Sequence, residues 1–216
     1  MRPRTCSAVA LDGRAVGSPR CWAFSEGYSV LELLFVVGLA TTITATAVPQ
    51  MTTALENARA TSATRYVSAR LHRARMEAMS HSADVGIQFT TTGSGFDFAT
   101  YLDGNGNGIR TQDITKGVDS PIVARQSLGE LFRGVDFGTL PNLPAIDPQS
   151  PPPGSDPIKL GAGDIVTFSP AGTSTSGTLY ILGARRAQYA VRVFGETGRI
   201  RTLKFDRHAW RWNADE

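Results

Sequence analysis

One acidic residue, Glu32, interrupts an otherwise apolar segment near the start of the chain. Residues 28–48 read YSVLELLFVVGLATTITATAV and contain no other charged side chain. As a helix, this segment would span roughly 30 Å, the thickness of a bilayer core. A charged group held in hydrocarbon costs about 2.5–3.5 kcal/mol, so such a group usually has a partner or a function. We therefore predict a transmembrane helix at 28–48 in which Glu32 has a function or a partner; the alternative is an acid that reaches the interface and has no role.

A second candidate site is a short loop rich in oxygen-bearing side chains. Asp103, Asn105 and Asn107 alternate, and Gly108 follows as the sixth residue. This order resembles the start of an EF-hand-type calcium loop, in which alternate side chains converge on one cation. The acid expected at the twelfth position is absent, and Asp113 stands one place early. The loop is therefore a candidate calcium site, with a glycine- and asparagine-rich hairpin as the alternative.

The third candidate is the basic C-terminal tail, GRIRTLKFDRHAWRWNADE. Its cations could neutralise phosphates, and its tryptophans could stack on unpaired bases. The alternative is a solvated edge strand that docks on another protein. The net charge of the whole chain is only +3, which does not by itself indicate a nucleic-acid partner. The candidate DNA-binding residues are Arg199, Arg201, Lys204, Arg207 and Arg211.

Other chemistry has little support in the sequence. The two cysteines, Cys6 and Cys21, precede the apolar segment, and the three histidines show no metal-ligand spacing. No nucleophile–base pair or phosphate-cradling loop is evident. We expect no enzymatic activity and no cofactor other than calcium.

The elements that would position these residues follow from periodicity. After Pro49, small apolar residues recur every three or four positions, which predicts an amphipathic helix over 49–82. Beyond residue 82 the period becomes two, which predicts several short strands. Residues 139–163 hold most of the prolines and are predicted to form an exposed loop. The predicted fold is α+β, with one long N-terminal helix packed on an antiparallel β-sheet head over 83–216. The helical face consists of Ala60, Ala63, Val67, Leu71, Ala74 and Ala78.

The segment that begins Gly27-Tyr28-Ser29-Val30-Leu31-Glu32-Leu33 resembles the processing signal of type IV prepilins. Stretches of the head, namely ARMEAMSHSADVGIQF, VTFSPAG, GTLYIL and GRIR, resemble the GspH/FimT group of minor pseudopilins and pilins. The resemblance implies a pilin-like fold and a leader, 1–27, cut after Gly27 by a prepilin peptidase that methylates Tyr28. It also implies a helix kink at Pro49, where proline removes a backbone donor.

The resemblance further implies a subunit of a type II secretion or type IV pilus filament. Glu32 would neutralise the new amine of Tyr28 on a neighbouring subunit, and other pilins would pack against the N-terminal helix. The chain would sit in the bacterial inner membrane as a single-pass protein with its head in the periplasm. In FimT-type pilins a G-R-x-R motif is associated with DNA uptake, and Gly198-Arg199-Ile200-Arg201 matches that motif. A competing hypothesis is signal-peptidase cleavage after Ala47, which would release a soluble periplasmic binding module.

Overall fold

The computed structural model of the chain describes residues 28–93, 95–147, 150–161 and 163–214. The predicted leader, 1–27, and therefore Gly27, lies outside the described residues. Among the described residues, those up to Ala45 form one compact unit and those from Thr46 onward form another. One helix, α1, runs over Val30–His81 and comprises 52 residues. This helix confirms the long N-terminal helix predicted from residues 28–82.

The start of α1 has a polar cap. The Ser29 hydroxyl oxygen accepts a hydrogen bond from the Leu31 backbone N–H at 3.3 Å, which satisfies one of the donors that a helix leaves free at its first turn. From Ala60 onward one face of α1 is buried, and this face contains all six residues predicted from the three-to-four spacing. Thr64 also lies on the buried face, where its hydroxyl donates to the Ala60 carbonyl at 2.9 Å.

In the described part of the chain, ten strands and two short helices follow α1. The strands are β1 (Val85–Thr92), β2 (Gly95–Leu102), β3 (Ser120–Ser127), β4 (Asp136–Phe137), β5 (Ile158–Lys159), β6 (Ile165–Phe168), β7 (Gly177–Leu182), β8 (Gln188–Phe194), β9 (Arg199–Asp206) and β10 (Arg211–Ala214). The helices are α2 (Thr111–Lys116) and α3 (Leu128–Leu131), and a 3-10 turn occupies Ala184–Arg186.

The strands form two antiparallel sheets where the sequence predicted one. The first has the order β3-β2-β1-β6, and the second has the order β10-β9-β8-β7-β4, with β5 also paired to β7. The buried face of α1 shares one hydrophobic core with residues of both sheets. Hydrogen bonds join α1 to each sheet. Thr61 and Tyr189 of β8 share one at 3.0 Å, and the Tyr66 hydroxyl donates to Gln126 of β3 at 2.7 Å.

The proline-rich stretch 139–163 was predicted as an exposed loop, and this prediction is wrong in part. Much of it lacks regular structure, but Ile158–Lys159 forms β5, and Leu143 and Ile158 are almost fully buried. The Ile146 side chain packs against the buried residues Tyr180 and Leu203. Prolines exclude a central strand, but they leave the apolar residues between them free to cover the second sheet.

Candidate functional site

The first part of α1 presents an exposed surface of mostly apolar side chains. Every residue from Tyr28 to Met51 is exposed, and Tyr28, Leu31 and Phe35 are more than two-thirds exposed. Among the described residues, α1 is the helix whose length and apolar composition would allow it to cross a membrane. A contiguous apolar surface of this length must be covered by lipid or by other protein.

The threonines of this segment are compatible with an apolar environment. The hydroxyls of Thr41, Thr42 and Thr44 donate to backbone carbonyls three or four residues earlier, at 2.7–2.8 Å. A hydroxyl satisfied in this way adds no unpaired donor to the helix surface. These three hydroxyls therefore need no partner from outside the helix.

Glu32 lies in the first turn of α1 and is exposed. No cation among the described residues forms an ion pair with it. A negative charge is favoured at a helix N-terminus, which offsets part of the cost of removing it from water. Pro49 lies inside α1, and its carbonyl accepts hydrogen bonds from Thr52 and Thr53 at 2.9 Å. The predicted kink at Pro49 and the predicted pairing of Glu32 stay predictions.

The candidate calcium loop is closed by its own backbone. One Asp103 carboxylate oxygen accepts N–H bonds from Asn105 at 3.0 Å and Gly106 at 2.9 Å, and the other accepts the Gly108 N–H at 2.7 Å. The Asn105 side-chain oxygen accepts the Asn107 N–H at 3.2 Å. These bonds hold the loop closed through its own side chains and backbone.

The remaining acids around this loop have separate positions. Asp113 lies in α2, and its backbone carbonyl accepts the N–H groups of Val118 and Asp119. The buried Asp119 carboxylate accepts N–H bonds from Gly104 and Arg110, both at 3.3 Å. Within the described ranges, no group of three or more His, Cys, Asp or Glu side chains is placed to hold a metal ion. Calcium binding stays an untested prediction.

The same loop shifts the pKa values of two aspartates in opposite directions. Burial acts to raise the pKa of Asp103, but hydrogen bonds from the backbone N–H groups of residues 105–108 outweigh it, and the pKa is lowered. The pKa of Asp84 is raised, first by burial and then by the negative charge of Asp103. The ionised Asp103 carboxylate therefore stabilises the loop, and its negative charge disfavours ionisation of the nearby Asp84.

The basic tail divides between the two faces of the second sheet. Residues of a strand alternate between faces, so Arg199 and Arg201 share one side of β9 with buried Leu203. Lys204 lies on the opposite face, where its ammonium nitrogen is 5.8 Å from the centre of the Tyr189 ring. Arg207 follows β9 in a turn, and Arg211 begins β10. The five predicted residues therefore do not form one continuous surface.

The two tryptophans of the tail differ in availability. Trp212 is half-buried against Tyr180 and Phe205, and its indole N–H donates to the Pro144 carbonyl at 3.0 Å. Trp210 is 54% exposed and makes an edge contact with Phe205. Only Trp210 therefore offers an open ring face to a ligand among the described tail residues.

Two arginines that the sequence did not single out lie beside part of the tail. Arg185 and Arg186 line a surface cavity of about 850 Å³ together with Lys204, Arg207 and Trp210. In sequence, the first pair is separated from the others by β8 and most of β9. The pairing of β8 with β9 brings them together, since Tyr189 stands opposite Lys204. Extending that register by three residues sets Arg186 level with Arg207, a juxtaposition that a predicted hairpin register would have indicated.

Comparison with known proteins gives one structural likeness. No protein-family model matches the chain, and no curated protein matches it. A solved structure, that of the minor pseudopilin EpsH from the type 2 secretion system of Vibrio cholerae, is 16% identical, with a TM-score of 0.42. The match covers 68% of this chain and 97% of EpsH. A likeness at this level carries no functional argument. The α+β order of one long apolar helix followed by antiparallel sheets, which fits a pilin-like protein, is observed in this chain directly.

Proposed function

We propose that this chain is a pilin-like subunit, anchored in a membrane by the first part of α1 and assembled into a filament through that same segment. The supporting observation is the division of α1. Its residues from Ala60 to Ala78 bury one face against the sheets, whereas residues 28–51 are exposed and apolar. The exposed part of such a helix can be covered by lipid in the membrane or by other helices in a filament. The buried part completes the core of the head in either state.

Glu32 supplies specificity in this proposal. Removal of a leader after Gly27 would create a cationic amine at Tyr28 inside an apolar bundle. A carboxylate from an adjacent subunit would neutralise this amine, whereas removing either partner would leave one charge uncompensated. The exposed position of Glu32 in the first turn of α1 leaves its carboxylate accessible to such an amine. Such pairing would set the axial register between neighbouring helices.

Processing provides the first test. The full chain is produced in a bacterial host with a prepilin peptidase, extracted from the inner membrane, and weighed by intact mass spectrometry. We expect a mature chain that begins at a methylated Tyr28, and we expect Gly27→Leu to block its formation. A mature chain that begins at Val48 would refute the proposal and support a soluble periplasmic module.

Cross-linking tests assembly in the same cells. Both cysteines, Cys6 and Cys21, precede Gly27, so a single introduced cysteine is unique in the processed chain. We expect Leu39→Cys, in the exposed apolar part of α1, to form disulfide-linked dimers within filaments. Val118→Cys, at an exposed apolar residue of the head, is the matched control. Equal dimer yields at both positions would contradict packing through α1.

The type of filament is a finer proposal that the prepilin-like signal supports. We propose a minor subunit of a type II secretion pseudopilus or a type IV pilus, with its head in the periplasm. Deleting the gene and measuring both secreted protein and surface pili would separate these two systems. Loss of neither would contradict a role in them.

DNA uptake is a second candidate function because Arg199 and Arg201 are both exposed on the same side of β9. This arrangement would let the G-R-x-R motif contact adjacent phosphates. We expect Arg199→Gln with Arg201→Gln to abolish a low-salt gel shift, whereas Lys204→Gln, on the opposite face, keeps it. No shift by the unsubstituted protein at low salt, where phosphate contacts are strongest, would exclude this function.

A further inference from the structure

A basic groove lies at one end of the second sheet, between the turn that precedes β8 and the turn that follows β9. We use the name basic groove for the cavity lined by Arg185, Arg186, Lys204, Arg207 and Trp210, with Asn57 of α1 at its edge. Its volume of about 850 Å³ is large enough for a polar headgroup-sized ligand.

Most of the positive charge in the groove is uncompensated. Arg185 forms an ion pair with Glu56 of α1, which holds one wall of the groove against the helix. No ion pair to an acid occurs for Arg186, Lys204 or Arg207 within the described residues. The groove also contains Asp206, but its carboxylate accepts the backbone N–H groups of His208 and Ala209, at 2.9 and 3.2 Å. The groove therefore presents three cations that form no ion pair among the described residues, against the one carboxylate of Asp206.

The backbone around the groove adopts unfavourable conformations. Of the six described non-glycine residues with a positive φ, three line this groove: Arg185, Arg186 and Trp210, at 55°, 62° and 51°. A left-handed conformation costs energy for residues that carry a Cβ, and it persists where the surrounding structure holds it. Gly183 anchors the first turn, since a Cβ at this position would lie 2.6 Å from that of Ala60. Such strain is concentrated at binding sites more often than elsewhere.

The groove lies close to the end of the apolar segment along the chain. Asn57 follows Val48 by nine residues of α1, or about 14 Å of helix rise. Along the chain, Asn57 therefore follows the apolar segment by about two and a half helical turns.

We propose that the basic groove binds the phosphate of anionic phospholipid headgroups and docks the head on the membrane surface before assembly. This inference rests on the proposed membrane anchor. Unpaired arginine and lysine side chains suit phosphate oxygens, and an exposed tryptophan is typical of the membrane interface. A lipid phosphate is favoured over a nucleic acid because Arg199 and Arg201 lie on the other face of β9 and because Trp212 is engaged in packing.

Hydrogen exchange in the full chain tests this proposal. The protein is reconstituted into nanodiscs of phosphatidylcholine alone or of phosphatidylcholine with phosphatidylglycerol, and amide exchange is measured for residues 183–188 and 206–210. We expect slower exchange of both segments only in the discs that contain phosphatidylglycerol. Arg186→Asn removes a charge and keeps a side chain that tolerates a positive φ, and Arg207→Gln removes a second. The protection should fall about fivefold per cation removed.

Matched controls separate the possible outcomes. Arg125→Gln with Arg133→Gln removes two exposed cations outside the groove and should keep the lipid-dependent protection. Equal exchange in both discs overturns the proposal, and so does equal protection by inorganic phosphate in discs of phosphatidylcholine alone, which would indicate a site for free phosphate. Stronger protection by a single-stranded oligonucleotide would assign the groove to nucleic acid instead. If the chain fails to insert into discs of either composition, the proposed membrane anchor is wrong, whereas insertion without protection refutes the groove proposal alone.

Discussion

Leu71 and Leu55 lie on the same helix, but replacing each by alanine should change the stability of the head by very different amounts. Leu71 is fully buried in the core shared by α1 and the sheets, whereas Leu55 is 51% exposed. Leu71→Ala removes three carbon atoms, at roughly 0.8 kcal/mol each, and leaves a cavity that adds to the cost. We expect a loss of about 3 kcal/mol in the free energy of unfolding for Leu71→Ala, and less than about 1 kcal/mol for Leu55→Ala.

Urea unfolding of the head, followed by near-ultraviolet circular dichroism in detergent, measures this difference. With a denaturant slope of about 2 kcal/mol per molar, Leu71→Ala should lower the unfolding midpoint by roughly 1.5 M. Leu55→Ala should keep the midpoint, and so should Phe35→Ala, which lies in the exposed apolar segment 28–51 and should reduce the yield of cross-linked subunits. Equal midpoints for Leu71→Ala and Leu55→Ala, or a lower midpoint for Leu55→Ala, would refute the division of α1 into an assembly part and a core part.

The remaining predictions concern charges. Glu32→Leu should abolish filament cross-linking and leave the urea midpoint of the head unchanged; retained cross-linking would refute the pairing role. The Asp103 pKa is lowered on folding, so this carboxylate stabilises the fold above the pKa of the unfolded chain, and the stabilisation disappears as the pH falls through the folded value. Asp103→Asn should therefore lower stability by about 1–3 kcal/mol at pH 7 and have little effect in strong acid. The Asp84 pKa is raised, so its ionisation opposes folding at neutral pH, and Asp84→Asn should raise the midpoint at pH 7 but not in acid; a midpoint lowered at pH 7 would contradict this assignment. Calcium binding by the Asp103 loop would raise the midpoint of the unsubstituted protein and not that of Asp103→Asn, whereas an unchanged midpoint in the unsubstituted protein would exclude a calcium site there.

The sequence predicted the parts of the fold that depend on local periodicity. The spacing of Ala60, Val67 and Leu71 identified the buried face of α1, because a helix places residues three and four apart on the same side. The strand β3 carries Pro121 and shows no regular alternation of buried and exposed residues, so no period of two was visible. The two-residue strands β4 and β5 exist through their pairing with β7, which is a contact distant in sequence.

The candidate sites depended on distant contacts to a greater extent. The tail was interpreted as one basic surface, but the alternation of β9 places Lys204 and Arg201 on opposite faces of a sheet. Arg186 lies in the turn before β8 and Arg207 in the turn after β9. The pairing of these two strands brings the two arginines close together. Local composition identifies cations, whereas strand pairing decides which of them share a surface.

The Glu32 carboxylate could be neutralised in two ways, which predict different assembly in filaments that mix unsubstituted and Glu32→Leu subunits. In the first turn of α1, the carboxylate could be balanced by the amine of its own chain, four residues earlier, or by that of a neighbour. Balance within one chain would make each Glu32→Leu subunit defective by itself, so activity would fall in proportion to its share of the mixture. Pairing between subunits couples each subunit to two neighbours, one through its carboxylate and one through its amine. One Glu32→Leu subunit then leaves the amine of another subunit unpaired in an apolar bundle. A fall in assembly steeper than the fraction of variant subunits would therefore support pairing between chains, and a linear fall would locate the ion pair within one chain.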